Sequence, residues 1–324
     1  KVACAAVANV GAVGKRSAGK RVTKRPTHKM ERGAWKLGTE NASPMLVGTL
    51  NGLLDKYWER SPSAASVMEF FENSQKGPLY FDHFAFRTFG TNGCGIDSLA
   101  ESFESFGYTR RDPFEFKNKK LNAFWFSPPT VELPRLFISE LQVEKFSEDV
   151  QAIIDKYTKQ VQGCPEHMLL SAVLGVLPWE NPTLEDFQQL SEASEYAAWT
   201  LVNGCALNHT TISVHNLAQN NRLDDLVEAL QRAGFELNGS GGLVKKSPDG
   251  GLLQASTVAD TIAHAFREGQ AVQVPGSYIE FAERLVLPEH RHLGEEEVKE
   301  CHRRDGFEAG NADKIFESTT LASQ

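Results

Sequence analysis

Two stretches decide how this chain folds: Leu79-Tyr80-Phe81-Asp82-His83-Phe84-Ala85-Phe86-Arg87-Thr88-Phe89 and Leu207-Asn208-His209-Thr210-Thr211-Ile212-Ser213-Val214-His215. Both are rich in β-branched or aromatic residues, and both read as strands. Behind the first, Ile96, Leu99, Phe103 and Phe106 recur every three or four residues up to Gly107. Behind the second, Leu223, Leu226, Val227 and Leu230 form a helical stripe that stops at Gly234. Each pattern is an amphipathic helix ended by glycine. The two glycine stops lie 24 and 25 residues after His83 and His209. Further strands are expected at about 108–116, 123–126 and 136–141 in the first half, and at 251–259 and 277–287 in the second. The chain therefore carries an internal repeat of a βαβββ unit, module one at about 79–145 and module two at about 205–290. Two such units packed edge to edge give an α+β fold with a half-open β-barrel, whose concave face holds a site made from both copies.

Outside the repeat, Ser43-Pro44 opens a helix to about Arg60, with Leu46, Leu50, Leu53, Leu54 and Tyr57 at helical spacing. Helices are also expected at 64–74 and 147–157. The region 163–198 reads as less regular, punctuated by Pro165, Pro178 and Pro182. Residues 1–40 show no sustained periodicity, so a single catalytic domain with added helices is expected over 43–324.

Charge is divided unevenly along the chain. The net charge is −8, yet Lys1 to Met30 holds eight basic residues and no Asp or Glu, so all 42 acidic residues fall in the remainder. An acid-free start rich in Ala, Val, Ser, Lys and Arg is the composition of an organelle transit peptide, and a plastid, or alternatively a mitochondrion, is the expected destination. A basic arm for nucleic acid is the competing reading, but no aromatic residue occurs before Trp35 and the acidic body argues against phosphate-backbone binding. No run of eighteen apolar residues occurs, so no spanning helix and no membrane partner are expected. Five scattered cysteines without a CxxC spacing suggest neither a disulfide framework nor a thiolate zinc site.

Strand alternation puts His83, Ala85 and Arg87 on one face of the first strand, and His209, Thr211, Ser213 and His215 together on its counterpart. Two histidines at one step of a repeat form a candidate metal surface. A carboxylate completes it: Glu280, between Ile279 and Phe281, is costly to bury unless paired or metal-bound, and Glu140 in the matching strand is the alternative. Two imidazoles and a carboxylate match the facial triad of non-haem Fe(II), with Mn and Zn left open by ligand type. Arg87, about 13 Å along the strand from His83, could clamp the far carboxylate of a short dicarboxylic acid, or serve only as an ion-pair partner. His215, His264, His290 and His292 lack a matching position and are read as surface or structural residues.

The segments FDHFAFRTF around His83, LPRLFISEL, LNHTTISVH around His209, LLQASTVAD, PGSYIEFAER around Glu280 and NADKIFEST, in that order, resemble the 2-oxoadipate dioxygenase/decarboxylase family, in its plastid-targeted plant branch. The resemblance runs from about residue 43 to the C-terminus. It implies a vicinal-oxygen-chelate-like fold, Fe(II) held by His83, His209 and Glu280, and a substrate carboxylate gripped by Arg87. It also brings the C-terminal segment to the substrate, with Gly310 and Asn311 as its counterparts here. The implied reaction converts 2-oxoadipate and O₂ to 2-hydroxyglutarate and CO₂, a late step of lysine breakdown. A redox-neutral lyase or isomerase on the same barrel, using Zn or Ni, is the rival enzyme reading, and a non-enzymatic scaffold is a third.

Overall fold

The computed structural model describes residues 35–36, 42–75 and 77–321. After β1 (Trp35–Lys36), helices α1 (Pro44–Arg60) and α2 (Pro62–Ser74) lead into the first module: β2 (Leu79–Phe89), α3 (Ile96–Ser105), β3 (Thr109–Phe116), β4 (Leu121–Ser127) and β5 (Arg135–Leu141). Four helices follow: α4 (Glu148–Thr158), α5 (Glu166–Leu174), α6 (Leu184–Ala193) and α7 (Glu195–Asn203). The second module comprises β6 (Leu207–Ser213), α8 (Leu223–Ala233), β7 (Lys245–Lys246), β8 (Leu252–Ser256), a hairpin of β9 (Thr261–Ala265) and β10 (Ala271–Pro275), and β11 (Tyr278–Arg284). Helices α9 (Ala309–Ile315) and α10 (Glu317–Leu321) come last.

The two modules share one topology. In each, the first strand pairs parallel with the last (β2 with β5, β6 with β11), and the last pairs antiparallel with the one before it in the unit (β4, β8). That strand in turn pairs antiparallel with the second (β3, β7). The first strands β2 and β6 then join antiparallel, giving the order β3-β4-β5-β2-β6-β11-β8-β7. The result is the half-barrel expected from the repeat, and one hydrophobic core runs through both modules.

Local sequence accounts for the framework. Pro44 starts α1, whose stripe of Leu46, Leu50, Leu53, Leu54 and Tyr57 is buried. Helix α8 buries Leu223, Leu226, Val227 and Leu230 and stops where Gly234 takes φ 89°, a left-handed conformation that side chains with a Cβ rarely adopt. The helices cover the convex face: Phe103 of α3 packs 5.8 Å from Phe86 of β2, and Phe71 of α2 lies 6.2 Å from Phe281 of β11. With that face filled by aromatic side chains, the alternate residues of β2, β6 and β11 turn to the concave side.

Four expectations are corrected. The region 163–198 is helical, holding α5, α6 and the start of α7. Helix α7 is buried from Tyr196 to Asn203, so it carries no polar stripe from which a period could be read. Strands β9 and β10 were also not anticipated; their short TIAHA and AVQVP sequences are half-exposed and pack on a separate cluster with Val202, Phe266 and Val274. Trp35–Lys36, expected to be unstructured, pairs parallel with Leu79–Tyr80. Ser213 ends β6, and Val214–Asn216 turn into a 3₁₀ helix before His215 can join the strand face. The transit peptide expected over residues 1–40 otherwise lies outside the described residues.

Phe103 is fully buried between Phe86 and Tyr108. Phe103→Ala should cost about 3–5 kcal/mol. Urea titration should show the midpoint falling with the slope unchanged; a loss below about 1 kcal/mol would mean that α3 does not anchor the sheet.

Candidate metal centre

His83, His209 and Glu280 come from β2, β6 and β11, which are neighbours in the sheet. All three are buried, and their ligand atoms converge. His83 Nε2 lies 3.4 Å from His209 Nε2. Glu280 Oε2 is 3.2 Å from His209 Nε2 and 3.7 Å from His83 Nε2. The residue before each histidine orients it: His83 Nδ1–H donates to Asp82 Oδ1 at 2.7 Å and His209 Nδ1–H to Asn208 Oδ1 at 3.1 Å. Because these partners are acceptors, Nδ1 carries the proton on both rings and the Nε2 lone pairs face inward. Gln254 Nε2 donates to Glu280 Oε1 at 2.6 Å, leaving Oε2 turned to the histidines.

Three acceptors thus face one another in a buried space, an arrangement that a shared cation would relieve. Ligands at right angles on a metal with bonds of ~2.1 Å lie about 3 Å apart, close to the spacing seen here. The donor set therefore fits a divalent metal. Burial pushes the His209 imidazole below its ordinary pKa, against the pull of Glu280. Burial alone would raise the Glu280 carboxyl, but His83, His209 and the Gln254 amide bring it below the usual value. Thr211 places its hydroxyl 3.0 Å from His83 Nε2.

A further layer fixes these groups. The β2–β6 ladder slips between Phe81 and His83, and Asp82, expected on the opposite face, reaches the His83 ring. Arg284 grips Asp82 through Nε (2.6 Å) and Nη2 (3.0 Å), and donates from Nη1 to the Gly306 carbonyl at 2.7 Å. Burial would raise the Asp82 carboxyl, yet Arg284, His83 and Arg135 hold it well below the usual range. Tyr278 stacks on His209 at 4.6 Å, and Phe307 meets His83 edge-on at 4.7 Å. Sequence reasoning did not single out Arg284, Gln254, Tyr278 or Phe307. Alternation gave a usable signal for two of them, since Tyr278 and Arg284 stand two and four residues from Glu280 on the same strand.

Arg87 is 1% exposed. Its Nη1 lies 3.1 Å from both Glu195 carboxylate oxygens, and Nη2 donates to Thr319 Oγ1 at 2.8 Å. The guanidinium sits 4.9 Å from the Tyr196 ring and 5.1 Å from that of Trp199. Its Nε–H is buried with no hydrogen-bond partner among the described residues. Glu140 stands apart from this face: its Oε2 accepts the Ile96 N–H at 2.9 Å, at the start of α3. Gly310 is exposed at the start of α9, while Asn311 is buried with its amide turned to Gln254 Oε1 (2.9 Å), so neither lines the cavity beneath the histidines. The residues one, four and five positions after Asn311 do approach: Ala312, Ile315 and Phe316 line a cavity of about 20 Å³ with His83, His209 and Glu280. Phe316 also lines a larger cavity of about 230 Å³ that contains Arg87 and Glu195.

The family profile of 2-oxoadipate dioxygenase/decarboxylase matches residues 49–299. The chain belongs to this family. It is 51% identical over 275 residues to the chloroplastic 2-oxoadipate dioxygenase/decarboxylase of Arabidopsis thaliana, covering 81% of this chain and 74% of that protein. The crystal structure of hydroxyglutarate synthase from Oryza sativa, in complex with 2-oxoadipate, superposes with a TM-score of 0.83 at 48% identity, covering 86% of this chain and 94% of the other. A glyoxalase-superfamily protein from Ralstonia eutropha shares the fold at a TM-score of 0.64 and 19% identity, covering 86% of this chain and 91% of that one. The half-barrel of this family member is thus the one that the repeat and the resemblance implied.

His215, read as surface or structural, is structural: its Nε2 lies 3.1 Å from Glu300 Oε2. Glu300 also accepts from Arg135 at 3.0 Å, tying the segment before α9 to the Asp82 network. Burial would raise the Glu300 carboxyl, but His215 and Arg135 lower it from 4.5 to about 2. A depressed carboxylate contributes its full stability above the unfolded value and loses it as pH falls through the folded one. Glu300→Gln should therefore cost roughly 2 kcal/mol near neutral pH and flatten the loss of Tm between about pH 4.5 and 2. A Tm-against-pH curve parallel to that of the parent would show that Glu300 is not coupled to folding.

Proposed function

We propose that this chain is an Fe(II)-dependent dioxygenase/decarboxylase that converts 2-oxoadipate and O₂ to 2-hydroxyglutarate and CO₂, acting in a plastid. The observation that carries the reading is the buried convergence of His83 Nε2, His209 Nε2 and Glu280 Oε2 on the concave face that also holds Arg87. In the proposed roles, His83, His209 and Glu280 hold the metal and Arg87 binds the far carboxylate of the oxo acid. Family membership supports the reaction, and the chloroplastic Arabidopsis relative supports the compartment.

Fe(II), when bound, supplies the redox chemistry with O₂ that the protein's own side chains lack. The chain's contribution is positioning. Asp82 and Asn208 hold both imidazoles in the tautomer with Nε2 free. Gln254 keeps one Glu280 oxygen occupied and the other available. The buried, unpartnered Nε–H of Arg87 is a donor awaiting an acceptor, and a substrate carboxylate at that edge would satisfy it. Phe137, Phe307, Ile315 and Phe316 line the cavity with apolar surface and exclude water from the reacting atoms. An oxo acid bound at both ends has its reacting carbons fixed beside the histidines.

The test is anaerobic Fe(II) loading followed by oxygen-electrode recording with 2-oxoadipate and mass identification of products. Oxygen uptake matched by CO₂ and 2-hydroxyglutarate is expected. His83→Ala, His209→Ala and Glu280→Gln should each lower Fe(II) affinity by at least about tenfold and remove turnover from a folded protein. Arg87→Lys should raise the KM for 2-oxoadipate by roughly tenfold or more, because lysine cannot offer a planar fork. Metal-loaded protein that turns over a substrate without consuming O₂ would replace this reading with the redox-neutral one.

A further inference from the structure

Arg87 has one ion-pair partner that any substrate carboxylate would have to contend with. Glu195, the first residue of α7, lies with both oxygens 3.1 Å from Arg87 Nη1, and its side chain is 25% exposed where that of Arg87 is 1% exposed. Both residues line the 230 Å³ cavity, together with Lys119, Lys120 and Phe316, so the pair is reached from the solvent side. The other edge of the guanidinium is built differently. Nη2 is held by Thr319 Oγ1, and Nε is buried without a partner. A guanidinium presents five donors, and here the pairing is complete at one end and open at the other.

We propose that Glu195 is a specificity-determining residue: a built-in carboxylate that neutralises Arg87 when no substrate is bound and competes with the distal carboxylate of an oxo dicarboxylic acid for it. The inference rests on the reading of Arg87 as the carboxylate clamp. A buried cation without a counter-ion is unstable, and the rings of Tyr196 and Trp199 offer it only their faces, so Glu195 supplies the missing charge. An incoming carboxylate then meets a neutral pair in place of a free cation. It gains only what it adds over Glu195: the unpartnered Nε–H and a better buried position. Ligands that place a carboxylate at that edge displace Glu195 toward the open cavity, whereas a 2-oxo monocarboxylate leaves the pair intact and gains nothing from Arg87. Apparent affinity is reduced by the fraction of molecules in which Glu195 holds the site.

Glu195→Gln removes the competing charge while keeping the size of the side chain, and Glu195→Ala removes both. In Fe(II)-loaded full-length protein, either variant should lower the KM for 2-oxoadipate and the inhibition constant of glutarate by about five- to tenfold. The KM for 2-oxohexanoate, which has no distal carboxylate, should not move. Equal KM values for 2-oxoadipate in parent and both variants, or a rise in KM in both, would overturn the proposal, the rise meaning that Glu195 orders Arg87 for binding. Arg87→Lys run in parallel separates the two readings: if it too leaves glutarate inhibition unchanged, the clamp assignment has failed and not the competition alone.

Discussion

Antiparallel pairing of β2 with β6 joins two four-stranded units that would each end in an exposed edge strand. The same seam sets Ala85 across from His209 and His83 across from Thr211, so the two histidines stand diagonally on one face. On the next strand, Glu280 lies opposite Thr211. Neither module alone holds more than part of the cluster: His83 belongs to the first, His209 and Glu280 to the second. Site and dimer-like seam are therefore one constraint, and a slip of one residue in the β2–β6 register would turn His83 or His209 to the convex face.

Convergent acceptors would be unfavourable without support, and the support is a chain of buried charges. Asp82 accepts from His83 and from Arg284; Arg284 donates to the carbonyls of Gly306 and Arg304; Arg135 reaches Asp82, Glu300 and Asp305. Each buried charge meets an opposite one, as the low dielectric demands. The consequence is mechanical as well as electrostatic. The segment after β11 is pinned over the His83 side of the barrel, which lets Phe307 pack on His83 and carries α9 and α10 across the cavity.

How much of this was legible in the sequence follows from where the signals were local. The repeat showed because each module carries its own strand, helix and glycine stop within about thirty residues. The histidines and Glu280 showed because alternation assigns a face. Strict alternation would turn Asp82 away from His83, but a ladder irregularity breaks that alternation, and nothing in Phe81-Asp82-His83 marks such a slip. Helix α7 was hidden because burial around a helix erases its period, while α5 is broken up by exposed Leu170 and Leu174 and α6 buries only Leu190, so neither shows a clean apolar stripe. The partners of Arg87 come from Glu195 and Thr319, more than a hundred residues away, and no pattern within either segment points to the other. The bond between Asn311 and Gln254, and the approach of Ala312 and Ile315 to the cavity, likewise join segments far apart in sequence that no local pattern links.

The two ends of the concave face solve the same problem with opposite charges. Near the histidines the chain gathers negative and lone-pair groups and offers a place to a cation; near α7 it buries a cation and offers a place to an anion. In the proposed roles, an oxo dicarboxylic acid would meet a bound metal at the first end and Arg87 at the second. Between the two, Phe316 lines both cavities. It sits between α9 and α10, whose outer side Lys119 pairs through Asp313 and Glu317. The helical pair is held from the barrel side by buried hydrogen bonds, Asn311 to Gln254, Asn238 to Ser318 and Arg87 to Thr319, so the segment between the two ends is tied to Gln254 at one and to Arg87 at the other.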